Sequence, residues 1–193
     1  MDKEARLFIF MKKIFSIVLV LAAIFGIWYI FKQASNPTST KTLSNSNQNL
    51  SHPDPSNATF VFADGPITLS KGINDQAIIP GGELTQETTL TNIIGYGDIN
   101  GDNKEDTAAV LAQNGGGSGV FIYLVAYVSS PLNYKGSNAV FVGDRIEPKS
   151  ISIANGIITL KYLDRKPNEP YAAEPTVLTS KQFVYTKDIL SEK

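Results

Sequence analysis

The acidic residues between positions 98 and 106 are the group in this chain best suited to chemistry. The segment GDINGDNKEDTAAVL places the oxygen-bearing side chains of Asp98, Asn100, Asp102 and Asp106 at positions 1, 3, 5 and 9 of a loop, and at position 7 Lys104 offers its backbone carbonyl. Calcium takes about six to eight oxygen ligands, and alternate residues of a tight loop can point at one centre. The spacing therefore predicts a calcium site.

This loop differs from an EF-hand at two positions. Position 12 is Ala109 instead of the bidentate Glu, and position 6 is Asn103 instead of Gly. From position 98 to 106 the segment resembles the nine-residue calcium loops in the FG-GAP blades of integrin-type propellers. The resemblance implies that Asp98, Asn100, Asp102, Asp106 and the Lys104 carbonyl are ligands. The sequence has no second copy, which excludes a full propeller.

The alternative for this loop is a metal-free polar turn, because Asp, Asn and Gly are common turn residues. No candidate nucleophile or base accompanies the loop, so a bound calcium ion is expected to stabilise it and not to catalyse a reaction.

A second group of charged residues surrounds the segment DRKPNEPYAAEP. Paired carboxylates can act as general acid and base, so a hydrolase of cell-wall or surface polymers that uses carboxylates near Asp144 and Asp164 is the alternative function. The other interpretation is an exposed loop with ion pairs. The charged side chains concerned are Asp144, Arg145, Asp164, Arg165, Glu169 and Glu174.

The composition excludes several other classes of site. The chain has no cysteine, so disulfides and thiolate chemistry are absent, and its single histidine, His52, lies in a Ser/Asn/Pro stretch that we expect to be mobile. A formal net charge of -1 argues against nucleic acid as a partner. The glycine-rich segment 114–119 lacks the residues of a P-loop or a nucleophile elbow, which predicts a plain connection.

The N-terminal part of the chain has the pattern of a membrane anchor. Residues 14–31 carry no charge and are long enough to cross a bilayer as one transmembrane helix. Residues 1–13 form a basic flank, which by the positive-inside rule keeps the N-terminus in the cytoplasm and places the C-terminal domain in the periplasm or outside the cell. Residues 32–57 are rich in Ser, Asn, Thr and Pro, which predicts a disordered tether.

Residues 58–193 show short apolar runs separated by turn residues, the pattern of about eight β-strands. Asp64-Gly65 and Asn155-Gly156 predict two hairpins. The run 120–128 is apolar on both faces, which predicts a central strand with a layer on each side. We therefore expect an all-β fold, an antiparallel sandwich or a partly closed barrel. The remaining predicted strands are 88–94, 107–112, 139–142 and 182–186.

The same domain also resembles an uncharacterised family of exported bacterial proteins, through the segments ATFVFADGPITL, GDINGDNKEDTAAVLAQNGGGSGVFIYLVAY, NAVFVGDRI and DRKPNEP. The resemblance implies an exported bacterial protein but no activity. Our first hypothesis is therefore a non-enzymatic envelope module that displays a calcium-stabilised β domain for binding or assembly. The partner of this module is either a protein or a glycan, and the sequence does not distinguish the two.

Overall fold

A computed structural model describes residues 52–193, which fold as strands joined by turns and loops, with one short 310 helix, Pro55–Asn57. The predicted basic flank, the predicted transmembrane helix and residues 32–51 of the predicted tether lie outside the described residues. Within 52–193, no helix has the length and apolar character needed to cross a membrane. The strands are β1 (Thr59–Phe62), β2 (Gly65–Thr68), β3 (Ile73–Ala77), β4 (Thr85–Gly97), β5 (Asp106–Asn114), β6 (Phe121–Ser129), β7 (Tyr134–Gly136), β8 (Val140–Asp144), β9 (Glu147–Ala154), β10 (Ile157–Asp164), β11 (Val177–Thr186) and β12 (Ile189–Glu192).

The largest sheet has six strands and is built around β5 and β6, two long strands whose residues are mostly buried. The strand order of this sheet is β3-β4-β5-β6-β7. On the same edge of β6, β7 pairs with its C-terminal residues and β8 with its N-terminal residues. All these pairs are antiparallel, and Val110 of β5 lies opposite Leu124 of β6. The prediction of a central strand at 120–128 is confirmed, because β6 has partner strands on both edges and is packed on both faces, with Leu124 in one apolar cluster and Val125 in the other.

The second sheet has four strands in the order β12-β11-β10-β9. Its β9–β10 hairpin closes at Asn155 and Gly156, which both have positive φ, 52° and 72°. Ile153 lies opposite Ile158, as the two-residue turn predicts. The register shifts between Lys161 and Tyr162, farther from the turn.

Apolar side chains fill both faces of the large sheet. On one face, Leu124 and Val110 pack with Ile158, Leu160 and other side chains of the four-stranded sheet. The opposite face is covered in part by the β1–β2 hairpin. The prediction of antiparallel sheets is therefore confirmed, and the sheets do not close into a barrel.

The structure differs from the sequence prediction at the start of the domain. The sequence predicts a disordered tether that extends through residue 57, but Pro55 is buried, and the Thr107 hydroxyl donates to the Pro53 carbonyl over 2.6 Å. His52, expected to be mobile, stacks on Tyr96 with 3.9 Å between ring centroids. Those residues pack on the domain because proline and histidine rings supply apolar surface that a count of polar residues misses.

Two smaller differences concern strands and turns. The first hairpin turns at Ala63 and Asp64, one residue before the predicted Asp64-Gly65 pair, since Phe62 lies opposite Gly65. The strands β3, β7 and β12 were not predicted. They are short, and β3 and β12 lie at sheet edges, where few apolar side chains mark a strand.

Candidate functional site: the acidic loop

The predicted calcium loop connects β4 to β5. It follows Gly97, the last residue of β4, and ends at Asp106, the first residue of β5. Two of its residues have positive φ, Gly101 at 81° and Asn103 at 62°. Asn is one of the few residues besides glycine that enters this region routinely, so it takes the sixth position without a glycine.

The side chains at loop positions 1, 3 and 5 fold the loop back on itself. Asp98 Oδ1 accepts from the Gly101 N–H over 2.6 Å, and Asp98 Oδ2 accepts from the Asn103 N–H over 2.9 Å. Asn100 Oδ1 accepts from the Asp102 N–H over 3.0 Å, and Asp102 Oδ1 accepts from the Lys104 N–H over 2.9 Å. These bonds satisfy backbone donors that the tight turn leaves without strand partners.

Asp106 has a different environment from the other two carboxylates, because it is fully buried. Its Oδ2 accepts from the Ile99 N–H over 2.8 Å, and its Oδ1 accepts from the Ser129 N–H over 2.7 Å. A buried carboxylate is tolerated when its oxygens accept hydrogen bonds. Asp106 therefore joins the acidic loop to the end of β6.

Ser129 is a residue of this site that the sequence did not predict. Its hydroxyl donates to Asp102 Oδ2, and its carbonyl accepts from Asn100 Nδ2 over 3.1 Å. Ser129 comes directly after the apolar run of β6, whose end lies beside the start of β5. The sequence does show a polar residue at the end of this apolar run. It could be assigned to the acidic loop only with the knowledge that β6 pairs with β5.

The electrostatics of the loop follow from these bonds. The Ser129 hydroxyl, followed by the Lys104 N–H, lowers the pKa of Asp102 below its ordinary value of 3.8. The Lys104 ammonium lies 3.8 Å from Asp102 Oδ2 and adds a weaker attraction. Asp102 is therefore held as a carboxylate at neutral pH.

The same bonds bear on the predicted metal site. Within residues 52–193, no three acidic or histidine side chains converge closely enough to hold a metal ion. Both carboxylate oxygens of Asp98, Asp102 and Asp106 accept hydrogen bonds, yet each oxygen has a second acceptor position. The donor set still has the hard oxygen atoms that calcium prefers, and a cation requires these side chains to turn toward one centre.

The second predicted cluster is an arginine-rich contact between loops. The Asp144 carboxylate accepts from the Arg145 guanidinium over 2.9 Å and from the Val120 N–H over 3.0 Å. Arg165 Nη1 donates to the Arg145 carbonyl over 2.9 Å, and both guanidiniums lie over the Tyr171 ring. Asp164 Oδ1 accepts from the Arg165 N–H over 2.7 Å.

This arrangement gives no support to acid catalysis by Asp144. The Arg145 hydrogen bond lowers the pKa of Asp144, whereas a general acid needs a raised one. A cavity beside the cluster is lined by Arg145, Glu147 and Glu174, together with Val120, Ile146 and Pro175, so neither Asp144 nor Asp164 lines it. Glu169, another predicted member of the cluster, accepts from the Lys166 N–H over 2.9 Å, a contact within the loop that joins β10 to β11.

The glycine-rich segment connects β5 to β6, as predicted, and most of it is exposed. Comparisons of the chain with protein-family models, with curated proteins and with solved structures found no match. The two resemblances drawn from the sequence stay predictions.

Proposed function

We propose that this chain is a single-pass membrane protein that displays its β domain outside the cytoplasm for binding or assembly, and that calcium stabilises the acidic loop of that domain. The observation that carries the proposal is the uncharged apolar run of residues 14–31, which stands next to a basic flank and precedes a compact β domain. The resemblance to exported bacterial proteins supports the same location.

The calcium part of the proposal is supported by the order of ligands along the loop. Asp98, Asn100 and Asp102 alternate along a tight turn, and the buried Asp106 fixes the end of that turn to β6. The three aspartates of the loop, Asp98, Asp102 and Asp106, repel one another when they turn toward one centre, and a cation between them removes that repulsion. The role of the ion is structural, since the loop contains no group suited to nucleophilic attack.

Protease treatment of intact cells tests the location. For a bacterial host with an outer membrane, spheroplasts replace intact cells. External protease is expected to remove the β domain and to leave a small N-terminal fragment in the membrane fraction. A domain that stays protected until the membrane is lysed contradicts the proposed orientation, and a domain that high salt washes off the membrane contradicts the anchor.

A further inference from the structure

The large sheet carries a groove on the face that the β1–β2 hairpin covers only in part. The groove has a volume of about 310 Å³ and lies between the turn of that hairpin and strands β3 to β6 and β8. This volume is at the small end of the range for ligand pockets, about 300–1,000 Å³. None of the residues of the acidic loop lines it.

One wall of the groove is aromatic. Phe62 meets Tyr123 edge to face with 4.9 Å between ring centroids, and Tyr123 meets Phe141 in the same way at 5.6 Å. Tyr123 and Phe141 are register partners on β6 and β8, so the pairing of these strands fixes their rings side by side. Phe141 is half exposed, which leaves ring surface open to a ligand.

The other wall is a row of three glutamines on adjacent strands. Gln76 lies opposite Gln86, and its amide donates to Gln86 Oε1 over 3.4 Å. Gln113 is almost completely buried, and its amide donates to the Thr88 hydroxyl over 3.2 Å. Among residues 52–193 the three side chains make no other hydrogen bonds, so Gln113 Oε1, Gln86 Nε2 and Gln76 Oε1 keep hydrogen-bonding capacity toward the groove.

The charge of the groove narrows the class of ligand. Of its lining residues only Asp64 has a charged side chain, and no lysine or arginine is among them. An anionic ligand finds no partner there. A purely apolar ligand would displace water from the glutamine amides without replacing the hydrogen bonds, and each unpaired amide group costs free energy. A ligand with C–H groups on its face and hydroxyl groups on its edge can pack against the aromatic wall and hydrogen-bond to the glutamine wall.

We propose that this groove binds a segment of a neutral carbohydrate, with the sugar face against the aromatic wall and the hydroxyl groups on the glutamine wall. The inference rests on the proposed location, because neutral glycan chains are then available as components of the cell surface. It names a site and a ligand class for the binding role proposed above.

The experiment uses the full chain in micelles of a detergent without a sugar headgroup, since glycosidic detergents compete for the groove. Isothermal titration calorimetry measures binding of neutral gluco-, malto- and chito-oligosaccharides. The test variants are Phe141→Ala and Gln86→Ala, and the matched controls are Tyr171→Ala and Gln182→Ala, which remove an exposed aromatic ring and an exposed amide elsewhere. Each test variant is expected to weaken binding about five- to tenfold, and each control to leave it unchanged.

Three results overturn the proposal. They are binding to none of the oligosaccharides, binding that both test variants leave unchanged, and binding of a proline-rich peptide or an anionic polysaccharide in place of the neutral sugars. Gln76→Ala, at an exposed strand position, supplies a further test if Phe141→Ala does not fold. The protease test of location is independent of the groove, so failure of the glycan proposal and failure of the anchor proposal are distinguishable.

Discussion

Asp106 at the start of β5 accepts a hydrogen bond from the backbone N–H of Ser129 at the end of β6, over 2.7 Å, with the carboxylate fully buried. Its other oxygen accepts from the Ile99 N–H inside the acidic loop. One side chain thus connects three segments of the chain. Asp106 has a structural role that stands whether or not the loop binds a cation.

Replacement of this carboxylate is expected to destabilise the domain strongly. Asp106→Ala leaves the N–H groups of Ile99 and Ser129 buried without acceptors, at about 1–3 kcal/mol each, so the free energy of unfolding should fall by about 2–6 kcal/mol. Urea unfolding followed by circular dichroism measures the change. The control is Asp75→Ala on the exposed edge strand β3. A loss for Asp106→Ala no larger than the loss for the control contradicts this role.

The sequence predicted the parts of this fold that depend on local chemistry. The Asn155-Gly156 turn fixed the register of β9 and β10, and two-sided apolarity identified β6. The position of the acidic loop between two strands was also predictable. In each case neighbouring residues contain all the information that the prediction needs.

The parts that the sequence did not predict depend on contacts between distant segments. Ser129 joins the acidic loop only because β6 pairs with β5, and Gln76 and Gln113 line one groove although a whole strand separates them along the chain. The packing of His52 on Tyr96 and Glu105 is similarly non-local. Such contacts follow from strand order, which composition and periodicity do not specify.

Gly95 and Gly97 mark the close approach of β4 to β9. A Cβ atom at Gly95 would lie 2.5 Å from Ile151 Cγ2 and 3.2 Å from the Ile151 carbonyl oxygen. Gly95→Ala is therefore expected to lower the free energy of unfolding by about 1–3 kcal/mol through overpacking, despite the entropy that alanine removes from the unfolded chain. Gly117→Ala is the control, because a Cβ atom there meets nothing within 4 Å. Equal melting temperatures for the two variants would show that β9 moves freely away from β4.

The Asp144–Arg145 pair makes a pH-dependent contribution to stability. The Arg145 hydrogen bond lowers the pKa of Asp144 in the folded state, so the contribution is present above the unfolded value of about 3.9 and is lost as pH falls through the folded value. Arg145→Gln should therefore be less stable than the parent at neutral pH, and the difference should shrink as the pH falls below 4.

Urea midpoints measured from pH 2 to pH 7 check this prediction, together with an NMR titration of the Asp144 carboxyl carbon, which should shift to higher pKa in Arg145→Gln. Lys149→Gln is the matched control, since its partner Glu147 is exposed. A stability difference that stays constant across this pH range contradicts a role for the ion pair.

The last prediction concerns calcium binding by the acidic loop. A ligand that binds only the folded state stabilises it by RT ln(1 + [L]/Kd). Extracellular calcium sites have Kd values of about 10⁻⁴ to 10⁻³ M, and a loop without a bidentate Glu at position 12 belongs at the weak end. Calcium at about 10 mM should then add about 1.4–2.7 kcal/mol and raise the melting temperature by several degrees. Magnesium should do less, because it requires a tighter octahedral site.

Two loop variants identify the origin of that shift. Asp98→Ala and Asp102→Ala should both abolish the calcium effect. Both variants should also melt at a lower temperature in chelator, because each loses hydrogen bonds within the loop. Asp98 accepts from the Gly101 and Asn103 N–H groups, and Asp102 accepts from the Lys104 N–H group. The quantity to compare is therefore the difference between the melting temperatures of one variant in calcium and in chelator. Asp75→Ala should keep the full difference. An identical melting curve of the parent in chelator and in about 10 mM calcium would show that the loop is a metal-free turn, which its own hydrogen bonds stabilise.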